Sequence, residues 1–149
     1  MTEQFVDLNS LRGPILVTVG YFVLWYYLLI GVQRKTKYSL QSRYRQRGEE
    51  FDRYFGQDGE MLAADRAVAN TLEQMGPFLS SLWLCALFVS SSFATLLGAA
   101  YVVLRFFYPR LLGVKLANMQ PKRVYYVTIP CYLIIFAMFG RVLWRSLTG

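Results

Sequence analysis

Six polar residues, arranged as two triplets of the same spacing, are where this sequence could do chemistry. Arg66, Asn70 and Glu73 stand at offsets of 0, 4 and 7, and Tyr101, Arg105 and Tyr108 repeat those offsets. On an α-helix this spacing gathers each triplet onto one face. Glu73 lies a few residues before a continuous apolar stretch. An ionisable side chain close to membrane depth is costly enough to be a functional-site hypothesis by default. Each triplet taken alone has a plainer reading. Arg66 and Glu73 would pair with neighbouring helices to hold a bundle together, Arg105 would snorkel to the surface, and the tyrosines would belong to an interfacial belt. Taken together at one membrane level, they describe a polar pocket.

Other chemistries are removed by composition. The chain has no histidine, so Ser–His catalysis, His-ligated metal and His-ligated haem fall away, and no metal site is expected. Cys85 and Cys131 sit inside apolar runs without a C-x-x-C spacing, and read as small buried hydrophobes. The net charge is +7 while 55% of the 149 residues are hydrophobic. The basic residues cluster between long apolar runs. That pattern suits the anionic face of a membrane or a small anionic ligand, and argues against nucleic acid.

The elements that must position these residues are apolar helices. Residues 14–32 form an uncharged run close to the ~20 needed to span a bilayer. Gln33-Arg34-Lys35 follows directly, which favours a retained helix over a cleaved signal. A polar loop is expected over 33–61, basic first and acidic later. The second helix is expected over 62–89, kinked at Gly76-Pro77. Ser90-Ser91-Ser92 reads as a tight turn, and the third helix as 93–112. A basic connection follows, with Arg110, Lys115, Lys122 and Arg123. The fourth helix is expected over 124–144, with Pro130 inside it. All sixteen Lys and Arg except Arg12, Arg141 and Arg145 fall on the two connections and the adjoining helix ends. The positive-inside rule then puts both long connections in the cytoplasm. The expectation is one all-α domain over 1–149, a transmembrane four-helix bundle.

The segment from Asp65-Arg66-Ala-Val-Ala-Asn70-Thr-Leu-Glu73 to Phe78-Leu-Ser-Ser-Leu-Trp83 resembles the signature of the MAPEG family, the membrane-associated proteins in eicosanoid and glutathione metabolism. Tyr101-Val-Val-Leu-Arg105-Phe-Phe-Tyr108 is similar to the family's third helix. The resemblance implies a homotrimer with glutathione, as co-substrate, bound between subunits. It implies that Arg66, Asn70 and Glu73 bind glutathione, with Arg34 and Lys35 as a further basic pair, and that Arg105 and Tyr108 belong to the catalytic set. The chemistry is consistent: arginine forks suit carboxylates, Glu73 suits the ammonium group, and Asn70 both donates and accepts. Three positions depart from the pattern. Gln74 and Leu112 stand where members carry tyrosines. Met119 stands near the thiol-activating arginine of the leukotriene-forming branch, with Lys115, Lys122 and Arg123 as possible replacements.

The function implied is a membrane-bound glutathione-dependent transferase or peroxidase acting on lipophilic electrophiles or lipid hydroperoxides. The alternative is a non-catalytic, lipid-binding member or a subunit of a larger membrane complex. A channel or transporter is disfavoured, because the charges sit at helix ends and form no relay at the membrane centre. The membrane would be that of the endoplasmic reticulum or mitochondria in a eukaryote, and the inner membrane in a bacterium.

Overall fold

A computed structural model describes residues 8–113 and 121–148. Four helices run alternately up and down. Helix α1 spans Arg12–Gln46, α2 Gly59–Phe88, α3 Ser91–Leu112 and α4 Pro121–Thr148. Among the described residues there is no strand. The fold is therefore the expected all-α four-helix bundle.

The first connection differs from expectation. A loop is expected from residue 33, yet α1 continues to Gln46, and the polar connection is confined to residues 47–58. The segment Lys35–Gln46 contains neither glycine nor proline and is rich in Lys, Arg and Gln, which favour helix. Its charges do not make it a loop, because two of its four cations, Lys37 and Arg43, are paired across the molecule and a tyrosine of the same segment is hydrogen-bonded there. Lys37 meets Asp65 at 2.9 Å, Arg43 makes a two-pronged contact with Glu60, and the Tyr44 hydroxyl donates to Asp58 at 3.1 Å. Leu40, on the same side, is buried. The helix stops at Gly48, whose φ of +71° is a left-handed conformation that glycine adopts readily. Partway along, Tyr27–Arg34 is wound as a π-helix, with hydrogen bonds to the fifth residue back.

Helix α2 begins at Asp58, whose carboxylate accepts from the N–H groups of Glu60 (2.9 Å) and Met61 (3.2 Å). The acidic residues expected in a loop thus cap a helix and complement its dipole. The helix passes through Gly76 and Pro77 as one 30-residue element; Pro77 still leaves the Glu73 carbonyl without its usual partner. Ser90 caps α3 through its hydroxyl, and Gly113 ends it at φ +88°.

Three helices, α1, α3 and α4, are long and apolar enough to cross a membrane. Helix α2 matches them in length, but its first half carries Asp65, Arg66, Asn70 and Glu73. The core centres on three rings from three helices. Phe78 stacks on Tyr101 with centroids 4.0 Å apart, and Tyr21 lies 5.0 Å from Phe78. The Tyr21 hydroxyl donates to the Thr71 carbonyl. Gly98 lets α1, α2 and α3 approach closely, because a Cβ there would fall 2.7 Å from Leu82 and 2.8 Å from Val17.

Candidate functional site

Helix α3 presents Tyr101, Arg105 and Tyr108 on its inward face, and all three are buried. Arg105 is only 1% exposed. Its Nε donates to the Tyr101 hydroxyl at 3.3 Å. One terminal nitrogen donates to the Asn70 side-chain oxygen at 2.7 Å, and the other to the Asn70 backbone carbonyl at 3.3 Å. The guanidinium carbon lies 5.6 Å from the Tyr101 ring centre and 5.2 Å from that of Tyr108. These partners are all neutral. Among the described residues no carboxylate lies within ion-pair distance of Arg105. Buried charges are ordinarily paired, because removing them from water is costly. An arginine has five N–H donors, so the fork retains capacity for an anion.

Asn70 links this buried cation to the outer face of α2. Its amide nitrogen donates to Glu73 at 3.4 Å, and Glu73 faces Arg66 at 3.6 Å. Arg66 and Glu73 are 55% and 53% exposed, so their loose pair contributes little stability and is free to rearrange. Cation, amide, carboxylate and cation thus form a ladder from the interior to the bundle surface. Tyr108 lies within the fields of Arg105, Arg66 and Glu73.

The structure therefore brings together Arg66, Asn70, Glu73, Arg105 and Tyr108. It does not bring Arg34 and Lys35 to them within the protomer. Arg34 sits over the Tyr38 ring at 5.6 Å. Lys35 lines a cleft with Tyr27, Gly31, Thr36 and Glu60. Of the departures, Leu112 is buried in the core, and Lys122 and Arg123 are exposed at the start of α4. Lys115 and Met119 lie outside the described residues.

Three participants escape sequence reasoning. Tyr101 counts in the triplet, but its role as a hydrogen-bond seat for Arg105 depends on the fold. Asp65 is the hub of the basic end, accepting from Gln33 at 2.8 Å while pairing with Lys37. Tyr132 on α4 accepts from Gln74 at 3.2 Å. A tyrosine inside an apolar run is a weak signal, since its ring suits the membrane anyway.

A family model for MAPEG matches residues 13–144. This chain belongs to the MAPEG family. It is accordingly an integral, multi-pass membrane protein, in a family associated with glutathione and eicosanoid metabolism. The MAPEG chain is also similar to an uncharacterized protein, sll1147, of Synechocystis sp., with 32% identity over 101 residues. That match covers 67% of this chain and 66% of the relative's length.

Proposed function

We propose that this MAPEG protein binds glutathione on the Arg105–Asn70–Glu73–Arg66 ladder and directs its thiol at a lipophilic electrophile or lipid hydroperoxide, as a transferase or peroxidase. The observation that carries this reading is Arg105, a buried cation whose neighbours in the described chain are all neutral. Glutathione offers two carboxylates, one ammonium and one thiol. Arg105 and Arg66 match the carboxylates through their planar forks. Glu73 matches the ammonium by exchanging its loose contact with Arg66 for the ligand.

A thiol with a pKa near ~8.5 must ionise to react. Cations close to the sulfur favour the thiolate; with Arg105 and Arg66 on the carboxylates, the Tyr108 hydroxyl or a cation of the second basic connection faces the sulfur. The thiolate then attacks a substrate arriving through the bilayer. At an electrophilic carbon it forms the C–S bond as the leaving group departs. At a peroxide oxygen it breaks the O–O bond, releasing the alcohol and a glutathione sulfenic acid that a second glutathione converts to the disulfide and water.

Arg66 and Glu73 are exposed on a single protomer at the level where α2 enters its apolar half. Charged groups bare to lipid are expensive. We infer a homotrimer in which a neighbouring protomer covers this face, lowers the local dielectric and completes the site. The basic connections would face the cytoplasm by the positive-inside rule.

A second reading is a non-catalytic, lipid-binding member or a subunit of a larger membrane complex. Gln74 favours it, being engaged with Tyr132 rather than with the ladder. Titration of purified protein with glutathione, followed by thiolate absorbance in the ultraviolet, separates the readings. Saturable binding with thiolate at neutral pH supports the enzyme. Binding without thiolate indicates carboxylate clamps without an activator, and absence of binding overturns the glutathione site.

A further inference from the structure

The basic end of the bundle holds a second cluster of cations that the ladder does not use. A cavity of about 350 Å³ opens between α1 and the connection 47–58. Leu29 and Ile30 form its apolar wall, and Gln33, Arg34, Lys37 and Arg53 its polar one. Arg34 and Arg53 approach the ring of one residue, Tyr38, with guanidinium carbons 5.6 and 5.0 Å from its centre. Neither has a carboxylate within ion-pair distance among the described residues. Lys37 is different: Asp65 neutralises it, and its ammonium donates to the Arg53 carbonyl at 3.2 Å, tying the connection to α1.

The connection itself is shaped toward the same place. The Asp52 carboxylate accepts from the N–H groups of Tyr54 and Phe55, both at 2.9 Å. That turn presents two aromatic side chains outward, Tyr54 at 78% and Phe55 at 85% exposure. Tyr54 also lines the cavity. Exposed aromatics beside cations, at the end of an apolar helix run, suit the boundary between hydrocarbon and headgroups.

We propose that this cavity binds the phosphate of an anionic membrane phospholipid. Arg34 and Arg53 clamp the phosphate, Leu29 and Ile30 receive the start of an acyl chain, and Tyr54 with Phe55 anchors the connection in the headgroup layer. Arg34 is exposed and Arg53 half-buried, so both guanidiniums are open to an anion that neither shares with a carboxylate, and the apolar wall favours an amphiphile over a free soluble ion. Within one protomer the cavity shares no residue with the Arg105 ladder, and displacement by glutathione tests whether a neighbouring ladder reaches it.

The test uses the full chain in phosphatidylcholine vesicles doped with phosphatidylglycerol. The protein is extracted in mild detergent, and the lipid retained per protomer is measured by mass spectrometry. The wild type should retain phosphatidylglycerol in preference to phosphatidylcholine. The double variant Arg34→Gln/Arg53→Gln should lose about twenty-fivefold in retention, roughly fivefold per cation at an anionic interface. The control Lys122→Gln/Arg123→Gln removes as much charge elsewhere on the basic end and should retain the lipid. Equal loss in both double variants would reduce the effect to general surface charge and overturn the proposal. So would the absence of headgroup preference in the wild type. Release of the lipid by glutathione, an arm needing no variant, would assign the cavity to the glutathione site and overturn it equally.

Discussion

Arg105 is held by the two ends of one residue, the side chain and the backbone carbonyl of Asn70. That arrangement orients a guanidinium without neutralising it. Replacing Asn70 by Asp would place a carboxylate on the fork and satisfy the cation internally. Asn70→Asp should therefore weaken glutathione binding by about tenfold or more, in keeping with the ~1.5–3 kcal/mol of a charge-assisted hydrogen bond. Its melting temperature should hold or rise. Unchanged affinity in the glutathione titration would mean that Arg105 does not receive the ligand. Glu73 makes the complementary case. Glu73→Gln keeps the shape and removes the charge, so glutathione affinity should fall while the oligomer, measured by light scattering, is unaltered.

Glycines and caps decide how the helices meet. Gly98 has no room for a side chain between Leu82 and Val17, whereas a Cβ at Gly20 would meet nothing within 4 Å. Gly98→Val should cost about 1–3 kcal/mol through overpacking, seen as a lower melting temperature. Gly20→Ala should be neutral or better, since alanine favours helix; equal losses at the two sites would contradict this helix packing. In the first connection, the N–H groups of Phe55 and Tyr54 hold the Asp52 carboxyl below the usual carboxylate range. A lowered folded pKa gives stability that is complete above the unfolded value of about 3.9 and is lost as pH falls through the folded one. Amide exchange at Tyr54 and Phe55 should thus show constant protection by this turn from pH 5 to 8 once intrinsic rates are corrected. Protection that weakens within that range would mean another group controls the turn.

The molecule as a whole presents an asymmetry among its helices. Three are apolar enough to meet lipid, while α2 carries an exposed Arg66 and Glu73. The homotrimer proposed above would resolve the conflict by placing a neighbouring protomer over that face. Detergent-solubilised protein should accordingly behave as three protomers in light scattering, and chemical cross-linking should stop at the trimer. A clean monomer that still binds glutathione would place the whole site within one chain.

Much of this architecture is written locally. Uncharged runs about the length of a bilayer, broken by basic segments, specify membrane helices whatever the detailed packing, because backbone polar groups in lipid must bond within the helix. The 0, 4, 7 spacing likewise puts each polar triplet on one face before any fold is known. Pairing across the molecule was not legible in the same way. Residues 35–46 read as a loop because charge density resembles solvation, and only the tertiary structure supplies Asp58, Glu60 and Asp65 as their partners. The family resemblance puts Arg34 with the ladder; within one protomer α1 carries it to the Tyr38 ring, which Arg53 also approaches. The burial of Arg105 was undecided as well: snorkelling and pocket-lining share one sequence pattern. Helix periodicity is a property of neighbours along the chain, whereas burial and charge pairing depend on which distant residues arrive at the same place.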